Sequence, residues 1–140
     1  KSTPHELVKK KIYELNPQIK DLPIFFVSAL KQTGLQELLN GITSQINCWK
    51  KRINTGTLNT WLKKIIDKNP PPLFNGNTVK FKYVMQVDTG PPKFNIFTNY
   101  PRKIKEQYKR YIANRLKQNF RLNGLPIKII YKKASNPYEK

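Results

Sequence analysis

The chain has 140 residues, of which 27 are Lys or Arg and 8 are Asp or Glu, so its formal net charge is +19. This length allows one ordinary domain or two small ones, and a hydrophobic fraction of 38% excludes disorder throughout. The apolar run from Leu22 to Leu30 is too short to cross a bilayer. No signal peptide is evident before Leu15, and the single Cys48 excludes an internal disulfide and disfavours a metal site. We expect a soluble, intracellular protein.

The basic residues are spread unevenly along the chain. Residues 1–50 hold seven lysines against four carboxylates, whereas residues 51–140 hold the other twenty basic residues against four. A strong basic excess in one part of a chain indicates contact with a polyanion. The charge therefore divides the chain into a mild part and a strongly basic part.

The mild part has the pattern of helix, strand and helix. The spacing from Thr3 to Glu6 is that of a capping box, and it predicts a helix that reaches Leu15. The apolar run 23–27 predicts a strand buried on both faces of a parallel sheet. Apolar residues at helical spacing then predict a second helix over 35–49. Because these pieces offer no other strand, they resemble the remnant of a larger α/β domain.

The basic part begins with a short helix and a long strand. The helix ends before Asn69 and the three prolines that follow it, which cannot continue a helix; its inner face is predicted to hold Leu58, Trp61, Leu62, Ile65 and Ile66. The alternation over 79–88 predicts a half-buried strand, whose inner residues are predicted to be Val79, Phe81, Tyr83, Met85 and Val87. Residues 89–92 form a proline-rich turn into a second strand, which predicts an antiparallel hairpin.

A second helix and a third strand complete the pattern. The helix is predicted from about Ile104 to Leu122, with Asn123-Gly124 as its C-terminal cap; its inner face is predicted to hold Ile104, Tyr108, Tyr111, Ile112, Leu116 and Phe120. Alternation over 127–132 predicts the third strand. The fold class is therefore α+β, an α-β-β-α-β sandwich with both helices on one side of a three-stranded sheet.

Several segments of this sequence together resemble the C-terminal KH-like domain of the tandem GTPases called EngA or Der. They are Arg52–Asn59, Asn69–Pro72, Gln86–Phe94, Arg110-Tyr111 with Asn114–Leu116, and Asn136–Glu139. The resemblance implies that residues 1–50 are the C-terminal portion of the second GTPase domain, a P-loop α/β domain. It implies that residues 51–140 are the KH-like domain.

The resemblance also implies a function. A protein of this family is expected to be a bacterial, cytoplasmic, ribosome-associated factor in assembly of the large ribosomal subunit. Its partners would be ribosomal RNA and the GTPase domains of the same parent, with no membrane and no DNA specificity. GTP and Mg²⁺ belong to the parent protein. This chain contains no phosphate loop, no Mg²⁺-binding Asp beside one and no Asn-Lys-x-Asp motif, so we expect it to have no bound cofactor and no catalytic residue.

Three residues of the mild part resemble the last nucleotide motif of the GTPase family. Ser28, Ala29 and Leu30 follow the predicted strand, and in related GTPases this turn offers backbone N–H groups to guanine at the end of a sheet strand. The resemblance implies a residual guanine-binding turn. The plain alternative is a strand end that leads into a helix.

The second helix of the basic part carries the candidate RNA-binding residues. Lys103, Arg110, Lys117 and Arg121 are predicted to form one stripe opposite the apolar face, with Glu106 as the only carboxylate nearby, and phosphate contacts supply most of nonspecific RNA affinity. The remaining candidates are Lys105, Lys109, Arg115, Lys128, Lys132 and Lys133. No two glycines are three apart, which argues against the Gly-x-x-Gly clamp of KH domains.

Other interpretations of the charge remain open. It also suits a solvated lysine-rich surface, a stand-alone basic RNA-binding module, or a module that binds anionic membrane surfaces without any relation to a GTPase. A membrane-surface helix would need bulky apolar residues left exposed, whereas here the pattern assigns them to the core. The same reasoning assigns most aromatic residues to packing and not to base stacking.

Overall fold

The computed structural model describes residues 2–19 and 22–135. The helices are α1 (Pro4–Leu15), α2 (Leu35–Trp49), α3 (Thr55–Lys68) and α4 (Glu106–Phe120), and the strands are β1 (Phe81–Asp88), β2 (Lys93–Thr98) and β3 (Lys128–Lys133). Short 3₁₀ turns cover Pro17–Ile19 and Pro101–Lys103. The Asn136–Glu139 segment of the family resemblance lies outside the described residues. In the part that is described, no helix is long and apolar enough to cross a membrane.

The three strands form one sheet in the order β1-β2-β3. β1 and β2 are antiparallel and form the predicted hairpin, whereas β3 runs parallel to β2. Helices α3 and α4 pack on one face of this sheet and leave the other face open. The predicted α+β class and the α-β-β-α-β order are confirmed.

One apolar core lies between the sheet and its two helices. It contains Leu58, Trp61, Leu62 and Ile65 from α3, Val84, Phe94 and Ile96 from the sheet, and Tyr108, Ile112 and Leu116 from α4. Within the described ranges 2–19 and 22–50, by contrast, no side chain is fully buried. The hydrophobic stabilisation of this chain therefore lies mainly in its second part.

Two polar residues, Asn54 and Gln86, form hydrogen bonds at the margin of this core. Asn54 begins α3 and accepts hydrogen bonds from the N–H groups of Gly56 and Thr57, at 2.8 and 3.3 Å. The buried Gln86 accepts from the N–H of Ile53 at 2.7 Å and donates to the carbonyl of Lys51 at 2.9 Å. Asn54 thus satisfies the first backbone N–H groups of α3 as an N-cap, and Gln86 satisfies backbone groups of the segment just before the helix.

The predicted strand over 23–27 is not formed. The nearest pairing in the described residues is a single bridge between Ser28 and Thr33, and Val27 is 50% exposed, so this segment is not buried on both faces. A strand gains its hydrogen bonds only from a neighbouring strand, and the sheet β1-β2-β3 lies elsewhere. The apolar composition of residues 23–27 was therefore not sufficient to predict a strand.

The predicted inner face of β1 is wrong over its second half. Val79 and Phe81 do contact the core, but from there on Val84 and Gln86 are the buried residues. The pairing with β2 shifts by one residue between Phe81 and Tyr83. Such a bulge sets two residues opposite one and exchanges the two faces of the strand beyond it. Tyr83, Met85 and Val87 therefore do not face the helices.

The boundaries of α4 also differ from the prediction. Ile104 is buried but precedes the helix, and α4 ends at Phe120, before the predicted Asn123-Gly124 cap. Arg121 takes the left-handed conformation, with φ of 55°, and its N–H donates to the carbonyl of Lys117. This early end lets Leu122 enter the core, where it is fully buried.

Candidate nucleic-acid interface

A broad cleft opens beside the outer edge of β3. It lies between the 3₁₀ turn that follows β2, the first turn of α4 and β3 itself, and it has a volume of about 1040 Å³. We call it the basic cleft, and it is lined by Asn99, Tyr100, Pro101, Arg102, Lys103, Lys109, Ile129, Ile130, Tyr131 and Lys133. Its four cationic side chains come from three separate elements.

Local sequence explains why the cations converge there. Pro101 starts a 3₁₀ turn that is separated from the end of β2 by two residues. The buried Ile104 fixes the end of this turn to the core. Lys103 is held with its ammonium 5.0 Å from the centre of the Phe74 ring, a favourable cation–π contact. Lys133 pairs with Thr98 in the parallel register and therefore lies on the helix side of the sheet.

The charge of the cleft is only slightly compensated. Lys109 forms an ion pair with Glu106 at 2.6 Å, and this hydrogen bond and charge lower the pKa of the Glu106 carboxyl. No other carboxylate of the described chain lies within ion-pair distance of Arg102, Lys103 or Lys133. The cleft therefore presents three uncompensated cations to solvent and attracts anions.

Tyr131 forms part of the cleft wall. Its hydroxyl is buried and has no hydrogen-bond partner among the residues that the structure describes, and the Lys109 ammonium lies 5.7 Å from the centre of its ring. Burial raises the pKa of Tyr131, and the nearby Glu106 charge adds to the shift. The phenol is thus neutral at ordinary pH and adds no negative charge to the cleft.

The structure brings only some of the predicted RNA-binding residues together. Lys103, Lys109 and Lys133 line the basic cleft. Lys105 lines a different, smaller pocket of about 320 Å³, together with Asn69, Pro70 and Tyr108. Arg102 was missed by the sequence-based prediction, although its place between Pro101 and Lys103 in a strand-to-helix connection was a usable signal.

The predicted single stripe on α4 is wrong. Only Arg110 and Lys117 of its four members lie on the helix, because Lys103 precedes it in the 3₁₀ turn and Arg121 follows it. The Arg115 guanidinium packs 5.5 Å from the centre of the Tyr111 ring. The predicted cations on α4 are thus divided between the cleft and the outer surface of the helix.

Lys128 and Lys132 lie on the opposite face of the sheet. They pair with Lys93 and Phe97 in the parallel register, and paired residues of neighbouring strands project on the same side. The ten predicted residues therefore do not form one surface.

Two tyrosines of α4 have structural contacts, as the sequence indicated. The Tyr108 hydroxyl donates to the carbonyl of Asn69 at 2.7 Å, and the Tyr111 hydroxyl donates to the carbonyl of Ile65 at 3.2 Å. Both bonds tie α4 to the last turn of α3. Burial raises the pKa of Tyr108 to about 12.

The predicted guanine-binding residues form a compact turn. The backbones of Ser28 and Thr33 exchange two hydrogen bonds, at 3.0 and 3.2 Å, and the N–H of Lys31 donates to the Ser28 hydroxyl at 3.2 Å. Leu30 at the tip is 94% exposed. Gly34 closes the turn with φ of 77°, where a Cβ atom would lie 2.1 Å from the carbonyl oxygen of Phe26. The turn is built without a neighbouring sheet.

No group of three or more potential metal-ligating His, Cys, Asp or Glu side chains occurs in the described part of the chain. The model of the KH-domain-like C-terminal region of EngA bacterial GTPase enzymes matches residues 52–132. The chain belongs to the EngA/Der family. The matched range contains α3, β1, β2, α4 and three of the four cations of the cleft, and it ends at residue 132, one residue before the end of β3 at Lys133.

Curated relatives agree with this family. The proteins called GTPase Der from Rickettsia felis and Rickettsia typhi are 37% and 38% identical to this chain over 130 residues, which cover 90% of the chain. That of Rickettsia prowazekii is 37% identical over 134 residues, or 93% of the chain. The aligned residues span only 29–30% of the length of these relatives. The alternative of a module unrelated to a GTPase is therefore set aside.

Proposed function

We propose that this chain is the KH-like region of a GTP-binding ribosome assembly factor and that it contacts ribosomal RNA of the large subunit through the basic cleft. The observation that carries the proposal is the convergence of Arg102, Lys103, Lys109 and Lys133 on one cleft. Nonspecific RNA affinity comes mainly from such phosphate contacts. Because no two glycines of the chain are three apart, side-chain cations would hold the backbone in place of a Gly-x-x-Gly clamp.

The first part of the chain fits a different role in this proposal. We assign residues 1–50 to the C-terminal portion of a GTPase domain and residues 51–140 to the KH-like domain. Helix α2 supports this division, because Leu35, Leu39, Ile42 and Ile46 are all exposed large apolar side chains. An apolar face of this kind suits packing against the rest of an α/β domain. The Ser28–Leu30 turn would then meet guanine at the edge of that sheet.

Catalysis belongs to the parent protein in this proposal. GTP and Mg²⁺ would be held by a phosphate loop and its Mg²⁺-binding Asp, and the sequence of this chain contains neither. The GTPase domains of the same parent are the second proposed partner, since they would adjoin α2. We expect this chain alone to release no phosphate from GTP.

The test is the salt dependence of RNA binding to the chain. Each phosphate contact with a single strand adds about 0.7 to the steepness of log affinity against log salt. Because Lys109 is paired with Glu106, the three uncompensated cleft cations predict a slope of about −2. Fluorescence anisotropy with a labelled single-stranded RNA between about 50 and 200 mM salt measures it. Lys103→Ala should reduce the steepness by about 0.7.

Lys63→Ala is the matched control. Lys63 is an exposed lysine of α3 that does not line the cleft, so its removal changes the net charge by the same amount. Equal effects of Lys63→Ala and Lys103→Ala would show that the total charge matters and the cleft does not. RNA binding that does not depend on salt would also refute the proposal.

A further inference from the structure

The open face of the sheet carries three rows of side chains that run across β1, β2 and β3. The pairing of the strands places Tyr83, Phe97 and Lys132 in the first row. Met85, Asn95 and Ile130 form the second row, and Asp88, Lys93 and Lys128 form the third. We call this surface the open sheet face. It shares only Ile130 with the lining of the basic cleft, whose cations lie at the β3 edge on the helix side.

The first row contains an exposed aromatic ring, Tyr83, and a partly buried one, Phe97. Tyr83 and Phe97 are stacked, with ring centres 4.2 Å apart and an angle of 14° between the planes. Tyr83 is 42% exposed, and it lies on β1, which is an edge strand. Among residues 2–19 and 22–135, no further strand follows on the side of Tyr83 away from Phe97. A flat ring from a ligand can extend the stack there, since offset stacking is favourable between π systems.

The middle row contains a buried polar group without a partner. Asn95 is only 7% exposed, and its side-chain oxygen has no hydrogen-bond partner among the described residues. A buried, unsatisfied amide costs about 1–3 kcal/mol unless a ligand or water supplies a donor. Its place between Met85 and Ile130 directs it to the open sheet face. A ligand that offers an N–H group would relieve this cost.

Lysines border the same face along β3. Lys128 and Lys132 are four residues apart on one strand, a separation of about 13 Å. Lys93 lies beside Lys128 in the register and is partly neutralised by Asp88 at 3.8 Å. No carboxylate of the described residues lies within ion-pair distance of Lys128 or Lys132. The ligand would thus carry negative charge at the β3 side and flat rings at the β1 side.

We propose that the open sheet face binds unpaired bases of single-stranded RNA, with a base stacked on Tyr83, a base edge donating to Asn95, and the phosphates near Lys128 and Lys132. A single strand combines flat rings with a regular row of anionic groups, as this face requires. Aromatic side chains beside cations are the common way in which proteins hold single strands. A double helix hides its bases and could not use Tyr83.

The experiment compares two RNAs that differ only in their bases. A short labelled oligoadenylate and an abasic strand with the same ribose-phosphate backbone are titrated with the full chain. Tyr83→Leu keeps an apolar side chain but removes the ring, and it should weaken oligoadenylate binding about tenfold while leaving abasic binding unchanged. Tyr83→Phe keeps the ring and should bind both strands as the unchanged chain does.

The cleft and the open sheet face can fail separately in this design. Lys103→Ala should lower the affinity for both RNAs by the same factor, since the cleft is proposed to bind phosphates alone. If Lys103→Ala has no effect, RNA binding by the cleft is refuted, but the proposal for the open sheet face is not. Circular dichroism checks that Tyr83→Leu is folded. If Tyr83→Leu leaves oligoadenylate binding intact, or weakens both strands equally, the open sheet face does not bind bases. Equal affinity of the unchanged chain for oligoadenylate and for the abasic strand would also overturn the proposal that the open sheet face binds bases.

Discussion

The side chain of Asn59 takes the place of a neighbouring strand at the free edge of β1. Its amide oxygen accepts from the N–H of Val84 at 2.9 Å, and its amide nitrogen donates to the carbonyl of Val84 at 2.9 Å. The same nitrogen donates to the carbonyl of Thr55 at 2.7 Å. Asn59→Asp keeps the shape and the acceptor but removes both donated hydrogen bonds. The substitution therefore tests how far this one amide joins α3 to the sheet.

The expected loss follows from these bonds. Each ordinary hydrogen bond contributes about 0.5–1.5 kcal/mol, and a carbonyl left without a donor adds to the loss. The new carboxylate would also face two carbonyl oxygens. We expect the free energy of unfolding to fall by about 2–3 kcal/mol at pH 7. The matched change Asn114→Asp, at an exposed position of α4, should cost less than about 0.5 kcal/mol.

Urea denaturation followed by circular dichroism measures both variants at pH 7 and at pH 3.5. The carbonyls raise the pKa of the new carboxyl in the folded state above its unfolded value of about 3.9. The variant therefore regains stability relative to the unchanged chain as the pH falls through that raised pKa, and the gain is complete below about 3.9. A protonated carboxyl has one O–H donor, which restores one of the two bonds. A loss of less than about 0.5 kcal/mol in the free energy of unfolding at pH 7 would refute this role of Asn59. A difference between Asn59→Asp and the unchanged chain that becomes larger at pH 3.5 would also refute it.

Two further changes test other contacts of the fold by the same method. Tyr108→Phe removes the bond to Asn69 and should cost about 1 kcal/mol at pH 7. The tyrosine pKa is near 10 in the unfolded chain but about 12 in this site. The unchanged chain therefore loses stability as the pH rises above 10, and the difference in free energy of unfolding between it and the variant becomes smaller. A difference that stays constant up to pH 12 would contradict the raised pKa of Tyr108. Gly90→Ala places a Cβ atom 2.6 Å from the Trp49 indole nitrogen at φ of 65°, whereas Gly76→Ala, at φ of 74°, meets nothing within 4 Å. We expect both substitutions to lower the free energy of unfolding by about 1 kcal/mol because of the strained backbone. Gly90→Ala should lower it further because of the Trp49 contact. Equal losses for the two variants would show that this contact does not matter.

Secondary structure was predictable where the local pattern and the tertiary contacts agree. The capping box at Thr3 and Glu6 is present, and α3 ends before the prolines. The pattern failed at 23–27, because an apolar run cannot show whether a partner strand exists. It failed again at Tyr83, since a bulge exchanges the two faces of β1 without a residue type that marks it. Tyr83 was assigned to the core for that reason.

The candidate site was less predictable than the fold. Helical spacing related Lys103 to Arg121, yet both lie off the helix. Lys109 and Lys133 meet in the cleft because β3 runs parallel to β2, and spacing along the chain contains no information on strand direction. Arg102 was overlooked although Lys103, its neighbour in the chain, was selected, because only the fold shows that their 3₁₀ turn lies beside β3. The tyrosines at 108 and 111, whose contacts are with α3, were assigned correctly to packing.

The parallel pairing of β3 with β2 also sets an order of events during synthesis. β1 and β2 are joined by a short turn, so their hairpin needs only local chain closure. The pairing of β2 with β3, in which Lys93 lies opposite Lys128, can form only after residue 128 has been synthesised. Because the chain is synthesised from its N-terminus, α3, the hairpin and α4 can assemble before β3 exists. β3 supplies one wall of the basic cleft and the lysine border of the open sheet face. A nascent chain that stops short of residue 128 would have Arg102, Lys103 and Lys109 of the cleft and the Tyr83–Phe97 stack, but neither surface would be complete.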